Sequence, residues 1–171
     1  MMPSSELIDA LIAAIEARSG NGDTLFLPGW NHDSWHRLLA DALVVRLGNG
    51  DVLLRRDDPS NDLYCLVEGE LEVSVPKPDS MTMTAVVSRG PGSIVGEIAL
   101  LDAGPRTASV WSRGASVLLR LPEAAFRDFR SREPVLAGDL LYAIGRILAR
   151  RLRQCVGAPA TSGGLGIGFD W

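Results

Sequence analysis

"GSIVGEIALLDAGPRTASV", residues 92–110, sets Glu97 and Arg106 a short distance apart in a run that is otherwise small or apolar. The pattern predicts one short helical turn from Glu97 to Leu101, followed by a loop through Gly104 and Pro105. The start of such a turn leaves backbone N–H groups without intrahelical acceptors, and these favour an anion. Gly96 lets the backbone approach a bound group closely. A carboxylate and a guanidinium in such surroundings ask for partners, and the flanking sequence supplies the frame in which they sit.

Upstream, the chain reads as strands from Leu43 onward: "LVVRL", the turn "GNGD", "VLLRR", the loop "DDPSND", "LYCLVEGELEVSV" and "MTMTAVVS". Downstream come "TASVWS" and "ASVLLRLP". Short β-rich runs separated by Gly, Asn and Asp turns at intervals of about ten residues are what a sandwich or jelly roll produces. Tyr64 and Leu66 alternate with Cys65 and serve the two faces of one strand. Trp111 reads as a packing residue at the sheet surface.

Helices flank this β region. Ser4 or Ser5 can cap a helix whose apolar positions Leu7, Ile8, Leu11, Ile12 and Ile15 recur at helical spacing up to Gly20. "DSWHRLLADA" reads as a second short helix with Asp33 as its cap. Pro122 starts the helix "EAAFRDFRS", and Pro134 starts a longer one to about Gln154. On that last helix Leu140, Leu141, Ile144, Ile147, Leu148 and Leu152 form a stripe suited to the β core or to a second chain, while Arg146, Arg150 and Arg153 form a solvated face. The expected architecture is mainly β with flanking helices (α+β): an antiparallel β jelly roll with N-terminal helices and a closing C-terminal helix pair. Its segments are an N-terminal helical part at 1–42, the jelly roll at 43–121, the C-terminal helices at 122–154 and a flexible Gly-rich tail at 155–171.

Composition bounds the function. The 171 residues make one domain with a sizeable core, and a net charge of −4 argues against wrapping a phosphate polymer. Cys65 and Cys155 have no metal-site spacing and suggest no disulfide framework. No apolar run approaches the roughly 20 residues that span a bilayer, and the acidic start of the chain does not read as a signal peptide, so a cytoplasmic protein is expected. His32 and His36 are four apart, but Asp33 is a poor third ligand, so no metal is expected. No nucleophile stands in a catalytic motif, so an enzyme is not expected either.

Arg106 offers a planar fork of donors suited to two phosphate oxygens at once, which Lys could not match. Glu97 accepts hydrogen bonds from sugar hydroxyls, and a ribose phosphate carries both groups. At these residues the sequence resembles the phosphate-binding cassette of the cyclic nucleotide-binding domain family, including the separation of Glu and Arg. The resemblance extends upstream through "NGDVLLRRDDPSNDLYCLVEGELEVSV", with Gly69 at its turn, and downstream to "VLLRLPEAAFRDF" and "ILARRLRQ". Val95 stands where the family usually has an aromatic residue, and Asp57 where a Gly is usual.

The resemblance implies a cassette at 96–110 that takes cAMP or cGMP and needs no cofactor. It implies that Glu97 holds the ribose 2′-hydroxyl and Arg106 the cyclic phosphate. Backbone groups of Gly96, Ile98, Ala99 and Ala108 take the remaining oxygens, and Thr107 adds a hydroxyl to phosphate or base. In some members a Thr at that place accompanies a preference for cGMP. The family also includes transcription factors in which a helix-turn-helix follows the long helix; only Gly-rich sequence follows Gln154, so DNA contact is not expected. Three functions stay open: a nucleotide sensor relaying to a protein partner or to a second copy through its C-terminal helix, a degenerate fold kept as an interaction or oligomerisation module, and a DNA-binding regulator.

Overall fold

The structure is a computed structural model, and it describes residues 2–18, 24–76 and 84–157. Among these residues eight strands form two antiparallel sheets. The first has the order β1-β8-β3-β6, with β1 at Leu43–Leu47, β8 at Ser116–Leu121, β3 at Leu63–Glu68 and β6 at Ile94–Val95. The second has the order β2-β7-β4-β5, with β2 at Val52–Leu54, β7 at Ser109–Ser112, β4 at Leu71–Pro76 and β5 at Thr84–Arg89. This is the jelly roll expected from the spacing of the turns.

Alternation along β3 divides the interior in two. Tyr64 and Leu66 join Leu54, Leu71, Val95, Val110 and Leu118 between the sheets. Leu63, Cys65 and Val67 face the helices, with Ile94, Leu119 and Leu121. A strand buried on both faces reads as a continuous apolar run, which explains "LYCLV". Burial among these side chains pushes the Cys65 thiol up to about 12. Val95 is buried between the sheets, so an aliphatic side chain fills the place under the cassette. The β3–β4 hairpin turns at Gly69, whose φ of +90° and close approach to Ser116 and the Ala115 carbonyl leave no room for a side chain.

Five helices cover the first sheet among the described residues. In α1 (Ser5–Ala17) Ile8, Leu11, Ile12 and Ile15 are buried, as their spacing predicts. The second helix, α2 (His32–Leu39), is capped by Asn31, whose side chain accepts from Ser34 N, and not by Asp33. Asp33 sits inside the helix and pairs with Arg37 four residues on. A short α3 (Glu97–Asp102) follows β6. Beyond β8 come α4 (Glu123–Arg132) and the long α5 (Pro134–Gly157).

The apolar stripe of α5 divides where the sequence reads one surface. Leu140, Ile144 and Ile147 are buried in the helix-side core, and Leu141 and Leu148 are packed against it. They are therefore not a surface for another chain. Leu152 is 64% exposed and lies outside that core, as do Val135 and Tyr142. The expected flexible tail falls, beyond Gly157, outside the described residues.

Candidate functional site

The cassette is built where β6 ends. Its pairing fixes Ile94 opposite Cys65 and Val95 opposite Tyr64, and the chain then turns at Gly96 with a φ of +85°. A Cβ there would lie 2.5 Å from Arg106 Nη1 and 2.7 Å from the Asp62 carbonyl. Only glycine gives both the left-handed turn and the approach of the guanidinium.

Arg106 is 2% exposed, and the protein itself anchors it. Its Nη1 donates to the Gly96 carbonyl at 3.0 Å, its Nη2 to the Asp62 carbonyl at 2.9 Å and its Nε to Ser60 Oγ at 3.0 Å. The guanidinium also lies 5.9 Å from the centre of the Tyr64 ring. Burial pulls its pKa below the usual arginine range, opposed by Tyr64, Asp62 and Glu97. Five N–H groups minus three bonds leave two for a ligand. The loop beneath is tied to Arg106 through the backbone: Asp57 N donates to its carbonyl at 2.8 Å and its own N donates to the Asp58 carbonyl at 2.9 Å. Asp57 has a φ of 70°, a left-handed turn that Asp tolerates better than most residues.

Glu97 opens α3 and is 5% exposed. It does not hydrogen-bond Arg106. Its Oε1 accepts from Nη1 of Arg151, on α5, at 2.5 Å, and Arg151 Nη2 reaches the Ile94 carbonyl at 3.1 Å. Oε2 has no hydrogen-bond partner among the described residues. The N–H groups of Ile98 and Ala99 belong to the first turn of α3, which has no intrahelical acceptor for them. Thr107 is exposed and Ala108 half-buried as the chain enters β7. The seven sequence-predicted residues thus lie at the two ends of the 96–108 segment, and the Arg106 bond to the Gly96 carbonyl joins those ends.

Four contributors escape a reading by residue type. Ser60 and Asp62 hold the guanidinium from the β2–β3 loop, and Tyr64 lies beside it. The Asp62 carboxylate also accepts from Arg120 Nε at 2.7 Å and from Glu123 N at 2.9 Å, so the residue whose carbonyl holds Arg106 also caps α4. Arg151 is the fourth. Its signal is positional: it continues the buried spacing of Leu140, Ile144 and Ile147, where a charge needs a partner.

The remaining candidates fall to ordinary roles. His32 is exposed and its Nδ1 meets Asp9 at 3.0 Å, and no group of metal-binding side chains occurs among the described residues. Trp111 donates to Glu72 Oε2 at 2.7 Å on the outer sheet. No helix of the described residues is long and apolar enough to cross a membrane.

The two antiparallel sheets thus carry a buried guanidinium and a buried carboxylate around a short helix. Residues 44–133 match the family described as the cyclic nucleotide-binding domain, and the chain belongs to that family. It is 28% identical to a CRP-like cAMP-activated global transcriptional regulator of Mycobacterium tuberculosis, over 64% of this chain and 47% of that protein. It is 38% identical to a cAMP-dependent protein kinase regulatory subunit of Dictyostelium discoideum, over 55% of this chain and 30% of that one. The chain thus spans less than half the length of these relatives. A cyclic nucleotide-binding domain from Methylobacillus flagellatus has the same fold, with a TM-score of 0.77 at 20% identity, covering 94% of this chain and 88% of its own.

Proposed function

We propose that this chain is a cytoplasmic cyclic nucleotide sensor that binds cAMP or cGMP on the cassette and passes the event through α4 and α5. The observation that carries the proposal is the state of Arg106: three anchored N–H groups, two unspent ones, and the Glu97 carboxylate at the start of the short helix whose N-cap carbonyl Arg106 holds. Arg106 donates to the cyclic phosphate and Oε2 of Glu97 accepts the ribose 2′-hydroxyl. Backbone groups of Gly96, Ile98, Ala99 and Ala108 take the other oxygens, and the exposed Thr107 hydroxyl is at hand for phosphate or base. The names of the two relatives put cAMP first.

The output surface is the outer face of α5. Val135 (76% exposed), Tyr142 (72%) and Leu152 (64%) are interspersed with Gly138, Gly145 and Ala149, all exposed, at the three-and-four spacing of a helix-pair seam. Large side chains facing small ones fit a second copy of the same helix. Calorimetric titration with cAMP and with cGMP, on the native chain and on Arg106→Ala, tests the sensor. Binding of one nucleotide that disappears in the variant supports it, and no heat from either nucleotide sinks it. Sedimentation tests the seam: a dimer that Tyr142→Glu turns into a monomer is expected. A native chain that is monomeric with and without nucleotide removes the second copy, and a dimer that binds neither nucleotide leaves an interaction module.

A further inference from the structure

Arg151 and Glu97 form the one ion pair among the described residues that joins α5 to the cassette. Both side chains are largely withdrawn from water, at 17% and 7% exposure. Such a pair is not surface decoration: removing one partner strands the other as a buried, uncompensated charge. The geometry also divides the carboxylate. Arg151 takes Oε1, its other nitrogen is fastened to the Ile94 carbonyl on β6, and Oε2 is left over. A carboxylate has lone pairs enough for both an arginine and a hydroxyl, so the two acceptors can serve at once.

We infer that Arg151 is the positioning residue for ribose recognition: from α5 it holds the Glu97 carboxylate aimed so that Oε2 accepts the 2′-hydroxyl. The inference rests on the proposed nucleotide site and adds to it the element on which that site depends. Arg151 itself touches no ligand. Because the arginine sits on α5, the ribose half of the site exists only while that helix is docked, and a ligand that needs Glu97 stabilises the docked helix by the same factor by which docking improves affinity. The phosphate half has no such dependence, since Arg106 is held by Ser60, Asp62 and Gly96.

The test compares a cyclic nucleotide with its 2′-deoxy form, on the full chain and on Arg151→Gln. Native protein prefers the ribonucleotide by about tenfold, the worth of one hydrogen bond to a charged group. Arg151→Gln loses most of that preference while affinity for the 2′-deoxy nucleotide changes by less than about threefold. Arg151→Lys, which keeps a cation but not the fork, restores part of it. In a Glu97→Gln background, Arg151→Gln adds nothing to the loss of preference, because the arginine reaches the ribose through that carboxylate. Equal losses for both nucleotides would make Arg151 a general structural residue and overturn the inference while leaving the site intact. A gain in ribonucleotide affinity would make the arginine a competitor for Glu97 and overturn it as well. A native chain that binds neither nucleotide would overturn the site and the inference together.

Discussion

The two halves of the cassette are held in different ways. Arg106 is fixed by groups of the β roll itself, two carbonyls and a hydroxyl within the 60–96 region, and lies beside the Tyr64 ring. Glu97 is fixed by a side chain from α5, 54 residues further along the chain. One half is therefore preorganised by the fold, and the other depends on the position of a terminal helix. This difference is what the proposed sensor role requires, since a ligand can change an equilibrium only by binding one arrangement more tightly than another. A phosphate corner alone would bind without reporting.

The largest effect is expected at the self-contained half. On the proposed site, Arg106→Ala would remove two charge-assisted bonds to phosphate, worth about 3 kcal/mol together, and should weaken nucleotide binding about a hundredfold or more. Arg106→Lys keeps the charge but loses the fork and the links to Ser60 and Asp62, and should recover less than about a tenth of that loss. Calorimetry on both variants checks this, and a lysine variant that binds like the native chain would show that charge, not geometry, makes the phosphate corner.

Next comes the backbone that lets the guanidinium in. Gly96→Ala must place a Cβ 2.5 Å from Arg106 Nη1 at a φ of +85°. Left-handed strain and displacement of the guanidinium together should cost about 2 to 3 kcal/mol of stability, read from the urea midpoint, and nucleotide affinity should fall with it. Loss of stability with full affinity would mean that Arg106 finds the phosphate from a different anchor.

Much of this frame is legible in the sequence. The turns at 48–51 and at Gly69, the doubly buried "LYCLV" and the helical turn after Gly96 all declare themselves locally. What holds the site together does not. The Gly96 and Asp62 carbonyls that grip Arg106 are backbone atoms, which any residue would supply, so no residue type announces them. Arg151 belongs to an arginine-rich stretch, and only the register of the buried face sets it apart from Arg150 and Arg153. The same ambiguity hides the exposed apolar residues of α5. Both faces of that helix carry apolar residues, so periodicity alone does not say that Ile144 turns to the core while Leu152 turns to solvent. At α2, Asn31 and Asp33 are both good capping residues two positions apart, and the hydrogen bond to Ser34 N decides between them.

A smaller effect tests the connection between the halves. Asp62 holds Arg106 through its carbonyl and caps α4 through its carboxylate. Asp62→Ala keeps the carbonyl and removes the cap and the Arg120 pair. Stability should fall by about 1 to 2 kcal/mol, mostly from the cap, because Arg120 is 41% exposed and its pair is screened by solvent. Affinity for the 2′-deoxy nucleotide should change by less than about threefold. Amide exchange should quicken at the start of α4 and leave the 57–60 loop unaltered. If exchange quickens equally in both, the phosphate corner is not as self-contained as its bonds imply.

The smallest effect is expected at Asp57, on the outer wall of the phosphate corner. Its φ of 70° costs a side-chain-bearing residue about 1 kcal/mol, which glycine would relieve. Glycine returns most of that gain through the greater freedom of the unfolded chain, so Asp57→Gly should shift stability by no more than about 0.5 kcal/mol. The side chain is exposed, and its contact with Arg56 at 3.8 Å is a surface pair of little worth. What the loop contributes is the Asp57 N–H to the Arg106 carbonyl, and glycine keeps that N–H. Nucleotide affinity should therefore stay within about twofold of native, the near-neutral outcome usual for a surface change that removes no cap and no buried bond. A larger fall would give the Asp57 carboxylate a part in the site that its exposure argues against, and would make the phosphate corner depend on the charge of its outer loop as well as on its backbone.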